Sequence, residues 1–366
     1  MTDGAKAIRL SPARAWRTYI GGRLLEELHG AVEAQDSHFP EEWILSVVAA
    51  RNAGREAIKD EGMSLIAGVK PPLSLKALIA ANADALLGVA HTARCGDNPG
   101  VLVKLIDAAE RLTVQVHPDR AAARKLFGSG FGKTECWHIL GGRQIDGRPP
   151  CVYLGFKPGI TRVYWRELFA RQDIPAMLDC LHRFEVRAGD TFLIEGGIPH
   201  AIGAGCFLVE IQEPTDFTIR VERTTPSGFP VADAMCHQGL GFEQMFDCFQ
   251  YGGFSREETE RRWRIPPQTL RQEAAGRECE LIGSRHTRFF RLTQWEIDSA
   301  VSIDSGTVFS GLYVLSGRGT LNSGGELLPF QPGDQFFLPA SAGRVTLERH
   351  GEENCRVLRC FGPDPG

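Results

Sequence analysis

Along residues 111–119, RLTVQVHPD, apolar and polar side chains alternate, so an extended backbone sends Leu112, Val114 and Val116 to one face and Thr113, Gln115 and His117 to the other. The apolar face can bury against neighbouring elements. The polar face looks into whatever the sheet encloses, and a barrel lumen is the natural candidate. The runs CVYLGFKPG at 151–159 and GLYVLSGRGTL at 311–321 are further β-rich stretches closed by glycine turns. Other segments carry the helical period. PLSLKALIAANADALLG at 72–88 has Ser74 as an N-cap, apolar residues at helical spacing and a stop at Gly88. Residues 164–186 read as two short helices split near Pro175, residues 231–250 as a helical connector, and GGRLLEELHGA at 21–31 is helix-compatible. EEWILSVVAARNAG at 41–54 fits helix and strand equally, and the charged span 255–277, broken by Pro266-Pro267, reads as a surface linker.

One module occurs twice. RAGDTFLIEGGIPH at 187–200 and QPGDQFFLPASAGR at 331–344 align Gly189 with Gly333, Asp190 with Asp334 and Phe192 with Phe336 at one constant interval. A Gly-Asp turn, a short apolar strand and a bend of small residues lead to the position held by His200 in one copy and Arg344 in the other.

The chemistry-bearing residues gather around the first copy. Gln115 and His117 share a face, Glu135 in GKTECWHIL offers a carboxylate and His200 a second imidazole. Together the four suit a borderline-soft divalent ion such as zinc. Arg344 does not serve as a ligand, because a guanidinium keeps its proton and has no free lone pair.

These modules resemble the cupin barrel, a double-sheet jelly roll. The first copy has Glu195 where a proline is usual, and the second keeps Pro339-Ala340 but replaces the metal-binding His with Arg344. The resemblance implies a mainly β fold with helical insertions: two cupin-like jelly-roll barrels plus a helical subdomain. A metal-binding, catalytic barrel is expected over 1–70 and 90–224, helical segments and linker over 71–89 and 225–280, and a second, degenerate barrel without metal ligands over 281–366.

Composition narrows the setting. The chain has 366 residues, enough for more than one core, and its 41 basic and 45 acidic side chains are nearly balanced, which gives no footprint for nucleic acid. Ten cysteines without a Cys-x-x-Cys pair, and a start lacking a basic-then-apolar export signal, lead to an expectation of reduced thiols in a cytoplasmic protein. No stretch reaches the roughly 18 to 20 apolar residues of a membrane span, so no membrane partner is expected. Oligomeric state leaves no mark in the sequence.

VQVHPD, GKTE and HAIGAGCFLVEIQEPTDFTIR, in that order, resemble the type I phosphomannose isomerases, zinc enzymes of the cupin class that interconvert mannose 6-phosphate and fructose 6-phosphate. The likeness runs from about Trp16 to Arg220 and extends more loosely to the C-terminus. By that resemblance Gln115, His117, Glu135 and His200 fall on the zinc-ligand positions, with one Zn2+ per chain. It also implies that Lys133 lines the sugar-phosphate site, Arg220 stands at the mouth of the pocket and Asp216 aids proton transfer. The activity implied is aldose–ketose isomerisation through a zinc-stabilised cis-enediol. The chain departs from the family by continuing Val221-Glu222-Arg223 after the arginine, where an aromatic-containing segment is common. It also reads Gly132-Lys133-Thr134-Glu135 where many relatives have a histidine in the first place. Two other readings remain open at this point: a sugar-phosphate-binding cupin without turnover, and an iron oxygenase built on two His and one carboxylate.

Overall fold

The computed structural model describes residues 5–52 and 54–364; residues 1–4, 53, 365 and 366, which the sequence reading assigns to elements or domains, lie outside it. Four antiparallel sheets form two barrels. In the first, a six-stranded sheet runs in the order Ala13–Ala15, Glu41–Ile44, Leu102–Asp107, Cys206–Gln212, Glu135–Gly142, Thr191–Ile194. It faces a five-stranded sheet in the order Ile219–Arg220, Gln115–Val116, His200–Ile202, Cys151–Phe156, Leu181–Glu185. In the second barrel, a seven-stranded sheet centred on Ser310–Ser316 and Cys355–Phe361 faces a four-stranded one built from Ala300–Asp304, Arg344–His350, Arg318–Ser323 and Glu326–Phe330.

The ambiguity at 41–54 has a physical cause. Glu41–Ile44 is a strand buried on both faces, so it shows no alternation. Glu41 and Trp43 look into the first barrel. Ile44 joins Val103, Leu105, Val209 and Ile211 in a layer packed on Leu292, Tyr313, Phe337 and Leu358 of the second. Each such fully buried apolar side chain contributes about 1.5–3 kcal/mol relative to exposure. A polar seam crosses the same layer: the Glu42 carboxylate accepts from Tyr313 Oη at 3.0 Å and Gln335 Nε2 at 2.8 Å, with His29 Nε2 at 2.6 Å.

Both copies of the repeat close in the same way. The amides of Arg187 and Gln331 donate to Asp190 and Asp334 at 3.0 and 2.8 Å, across turns whose Gly189 and Gly333 have φ of +94° and +86°. An arginine then docks on each aspartate. Arg264 lies 2.8 Å from Asp190, and Arg9 lies 2.7 Å from Asp334. Arg9 belongs to the strand Ile8–Leu10, which pairs with Gln335–Leu338 of the second barrel. The reading that put residues 1–70 wholly in the first barrel is corrected there: the start of the described chain closes the second barrel much as Arg264 closes the first.

Three further readings change or sharpen. Residues 72–88 form two helices, Leu75–Ala81 and Ala83–Leu87, broken at Asn82, with the Ser74 side chain accepting from Ala77 N and Gly88 at the end. The helices Arg162–Arg171 and Ile174–Asp179 stand where Pro175 places them, but Leu181–Glu185 is a strand. The supposed linker is instead the helix Arg256–Trp263, capped by Ser255 and anchored by buried Trp263, followed by the exposed edge strand Gln268–Glu273. Its charges pair along the helix, as Arg262 with Glu258 at 2.8 Å, which is why a polar span still holds structure.

The two barrels differ inside. The second is filled by Trp295, Leu312, Val314, Phe336, Leu338 and Val357 among others, and Arg344 points away, exposed. The first keeps a polar interior, because the residues that alternate with its outward valines are the charged ones. Helices cover the outside of its five-stranded sheet: Trp165, Leu168, Met177 and Phe246 pack on Val114, Val116, Ala201 and Ile219.

Candidate metal centre

Strand register assembles half of the centre. With Val114 and Val116 committed to the helical layer, Gln115 and His117 turn inward. Gln115 sits opposite His200 on one neighbouring strand and Arg220 on the other, so one rung of the sheet carries all three. Glu135 comes from the facing sheet, at the start of Glu135–Gly142. Its Oε2 is 3.2 Å from His117 Nε2 and its Oε1 is 3.4 Å from His200 Nε2. The two imidazole Nε2 atoms are 3.1 Å apart, and the Gln115 amide is 3.4 Å from His200 Nε2. All four predicted ligands therefore converge, each nearly excluded from solvent.

The tautomers follow from the backbone. His117 Nδ1–H donates to Phe217 O and His200 Nδ1–H to Ile198 O, both at 2.8 Å, which turns the lone pair of each Nε2 toward the centre. Two inward lone pairs and a buried carboxylate whose Oε1 has no hydrogen-bond donor form a donor set that a divalent cation fits, with the Gln115 side-chain amide beside it. Among the described residues this His117, Glu135 and His200 group is the one cluster of three or more such side chains with metal-holding geometry.

Lys133 lies against the cluster, its ammonium 2.8 Å from Glu135 Oε2 and 2.7 Å from His117 Nε2. Burial, then the Lys133 charge, lowers the His117 imidazole to about 3 despite Glu135, and burial lowers His200 as well. Burial works to raise the Glu135 carboxyl, but the neighbouring positive charge outweighs it and holds the group well below its ordinary range. Because both imidazoles are neutral, Lys133 is the partner that keeps Glu135 ionised. Each imidazole thus keeps a lone pair on Nε2, and the one on His117 accepts from Lys133.

Around it the sheet carries charges that sequence reasoning missed. Trp43, Lys104, Glu210 and Trp137 form one rung of the six-stranded sheet. Lys104 Nζ is 3.0 Å from Glu210 Oε1, and Trp137 Nε1 donates to Glu210 Oε2 at 3.0 Å. Arg17 pairs with Glu41 at 2.9 Å and with Asp216 at 3.4 Å. A signal did exist: Lys104 in VLVKLID and Glu210 in CFLVEIQ are single charges inside apolar strands, a pattern rarely tolerated unless the charge is paired.

Arg220 and Asp216 do not pair with each other. Arg220 donates to the carbonyls of Thr218 and Met235 at 3.2 and 3.0 Å, while Asp216 is held by Arg17 and by the Arg51 amide at 3.2 Å. Burial tends to raise the Asp216 carboxyl. Arg17 first, then Lys104, Lys133 and Arg220, overrule it and keep the group ionised well below the usual carboxylate range.

The unusual residues after Arg220 are structural. Val221 is buried, and Glu222 takes a two-pronged contact from Arg111 at 2.6 and 2.8 Å. Gly132 abuts the backbone of Pro118–Arg120, where a Cβ would come within 2.8 Å, so no larger residue fits in that place.

A lumen of about 40 Å3 reaches Gln115 and Lys133 and is lined by Arg17, Glu41, Lys104, Glu210, Asp216 and Arg220. It meets an outer cleft of about 510 Å3, since Asn52 and Met235 line both.

Comparison with known proteins agrees with this architecture. Residues 284–355 match the model of the mannose-6-phosphate isomerase cupin domain. Mannose-6-phosphate isomerase from Streptococcus mutans is 28% identical over 65% of this chain and 68% of its own length. ManA from Bacillus subtilis, which bears the same enzyme name, is 26% identical over 70% of this chain and 74% of its own. The crystal structure of the mannose 6-phosphate isomerase from Bacillus subtilis superposes with a TM-score of 0.72 at 21% identity, over 98% of this chain and 100% of that one. A phosphomannose isomerase variant from Salmonella typhimurium gives 0.73 at 15% identity over the same shares. The two solved structures share this chain's fold over nearly its whole length. With its metal-competent centre in the first barrel and, in the second, a match to the mannose-6-phosphate isomerase cupin domain, the chain is similar to the mannose-6-phosphate isomerases in sequence and in fold.

Proposed function

We propose that this protein is an aldose–ketose isomerase that interconverts mannose 6-phosphate and fructose 6-phosphate, with one zinc ion held by Gln115, His117, Glu135 and His200. The observation that carries the reading is the convergence of two inward Nε2 atoms and the Glu135 carboxylate beside Gln115 and Lys133, which themselves line a charged lumen. The names of the relatives support the substrate. Zinc bound there supplies a Lewis acid that stabilises negative charge on the sugar oxygens.

The chain's own residues supply the rest. Isomerisation moves a proton between C2 and C1 through a cis-enediol, and a group in reach must carry it. Lys133, buried beside the centre, is the carrier we assign, with Arg220 holding substrate on the opposite wall. Asp216 acts as a positioning residue. Its carboxylate fixes Arg17 and the Arg51 amide, and a group held so firmly ionised is a poor proton carrier. Packing of Trp137 against His200, with ring centroids 5.4 Å apart, excludes water from the rear of the site.

Isomerisation in deuterated water tests the proposal: an enediol route places solvent deuterium on the carbon that receives the proton. A hydride shift, with no solvent label at C1 or C2, refutes the route.

A further inference from the structure

We propose that Arg51, on the loop after the strand Glu41–Ile44, grips the phosphate end of the substrate at the mouth of the lumen. This rests on the sugar-phosphate reading above and adds the anchor for its anionic end.

Size makes the first argument. A water occupies about 10–15 Å3 on the scale in which the lumen measures about 40 Å3, so the lumen has room for roughly three waters. A six-carbon sugar bearing a phosphoryl group is much larger than that. Only its reacting end fits beside Gln115 and Lys133, and the far end must lie in the outer cleft. That cleft carries Arg51, Arg55 and Lys59 on one wall and Met235 and Gln238 on the other.

Charge makes the second. Arg55 is engaged by Glu61 at 2.7 Å, and Glu56, the carboxylate on the cleft wall, accepts from Gly54 N at 2.9 Å. Arg51 is exposed and has no carboxylate in ion-pair reach among the described residues. Its guanidinium lies 5.6 Å over the Phe217 ring, which is itself stacked on Phe127 with centroids 4.5 Å apart. A planar guanidinium braced on an aromatic face keeps its fork of N–H donors available for two phosphate oxygens.

Position makes the third. Arg51 N–H donates to Asp216 at 3.2 Å, and Phe217, beneath the Arg51 side chain, is the residue whose carbonyl orients His117. The anchor and the metal ligand are thus referenced to one short stretch of backbone. The deeper cations are already engaged: Lys133 by Glu135 and His117, and Arg220 by two carbonyls.

The test compares metal-loaded wild type with Arg51→Ala, Arg51→Lys and Lys59→Ala, each checked for metal content. The readouts are kcat and KM for mannose 6-phosphate and the inhibition constant of inorganic phosphate. Loss of one charged contact predicts that Arg51→Ala raises both KM and the phosphate inhibition constant about tenfold or more, with kcat held within about twofold. Arg51→Lys should recover part of the loss. Unchanged KM and phosphate inhibition in Arg51→Ala overturn the proposal, and so does a rise confined to Lys59→Ala. If wild type proves inactive, the isomerase reading falls, and calorimetric binding of inorganic phosphate still decides on Arg51. Weaker binding to Arg51→Ala than to wild type upholds the anchor; equal binding, or none to wild type, removes it.

Discussion

Replacing Lys104 by Met isolates the energetics of the charged lumen. The Lys104–Glu210 pair is 3.0 Å long, and each side chain is only 4% exposed, so solvent screens it little. Removing the ammonium leaves Glu210 buried with the Trp137 Nε1–H as its remaining donor. Stranding one member of a buried pair costs about 3–5 kcal/mol. Glu210→Gln should cost less, since the amide oxygen still accepts from Trp137 and the Lys104 ammonium keeps Glu41 as a charged neighbour. The double variant should regain most of the loss, because Met refills the space of the lysine stem beside Trp43 and no charge remains unpaired. The coupling expected from the cycle is therefore about 2–3 kcal/mol.

Urea unfolding followed by tryptophan fluorescence measures it, on metal-free protein, at pH 8 and again at pH 5.5. Burial, then the Glu135 charge, already raises the Glu210 carboxyl, and loss of Lys104 raises it further. An acid whose folded-state value is raised binds its proton in the fold before it does in the unfolded chain, so the variant gains stability relative to wild type as pH falls. Additive single-variant costs, or a deficit that grows toward acid pH, would refute the reasoning.

Two further predictions concern other parts of the molecule. Burial, acting against the Asp190 charge, lowers buried His138 to about 4 from an ordinary 6.5. The unfolded chain therefore takes up a proton that the fold refuses as pH drops through that window. Stability should fall by about 3 kcal/mol between pH 6.5 and 4, and denaturant titrations of His138→Asn should lack that component. At the contact between barrels, a Cβ on Gly311 would come within 2.3 Å of Leu45 Cδ1, so Gly311→Ala should cost about 1–3 kcal/mol in thermal unfolding. Adding Leu45→Ala should return part of it, and full additivity would contradict the packing account.

Much of the site was legible because short motifs carry their own geometry. A Gln-x-His pair in an alternating strand has one inward face, and the Gly-Asp module led to His200 in one copy and to a non-ligand in the other. What stayed hidden depended on pairing between distant residues. Nothing in AIRL announces that Ile8–Leu10 will pair with Gln335–Leu338. Lys104, Glu210 and Glu41 were missed because their strands are buried on both faces, which erases the alternation that would have marked an inward side. Arg17 has no local signature either, since its partners Glu41 and Asp216 come from other parts of the chain. The span 255–277 was misread for the opposite reason: its helix is held by Trp263 and by charge pairs, with too few apolar residues to show a period.

Metal analysis coupled to activity addresses the four-ligand centre most directly. Purified protein, chelated protein reloaded with zinc, and His200→Ala should be assayed together for bound metal and for conversion of mannose 6-phosphate. The account predicts one zinc per chain in wild type, loss of metal and activity together on chelation, recovery of both on reloading, and neither in His200→Ala. Full activity in chelated protein or in His200→Ala would contradict it.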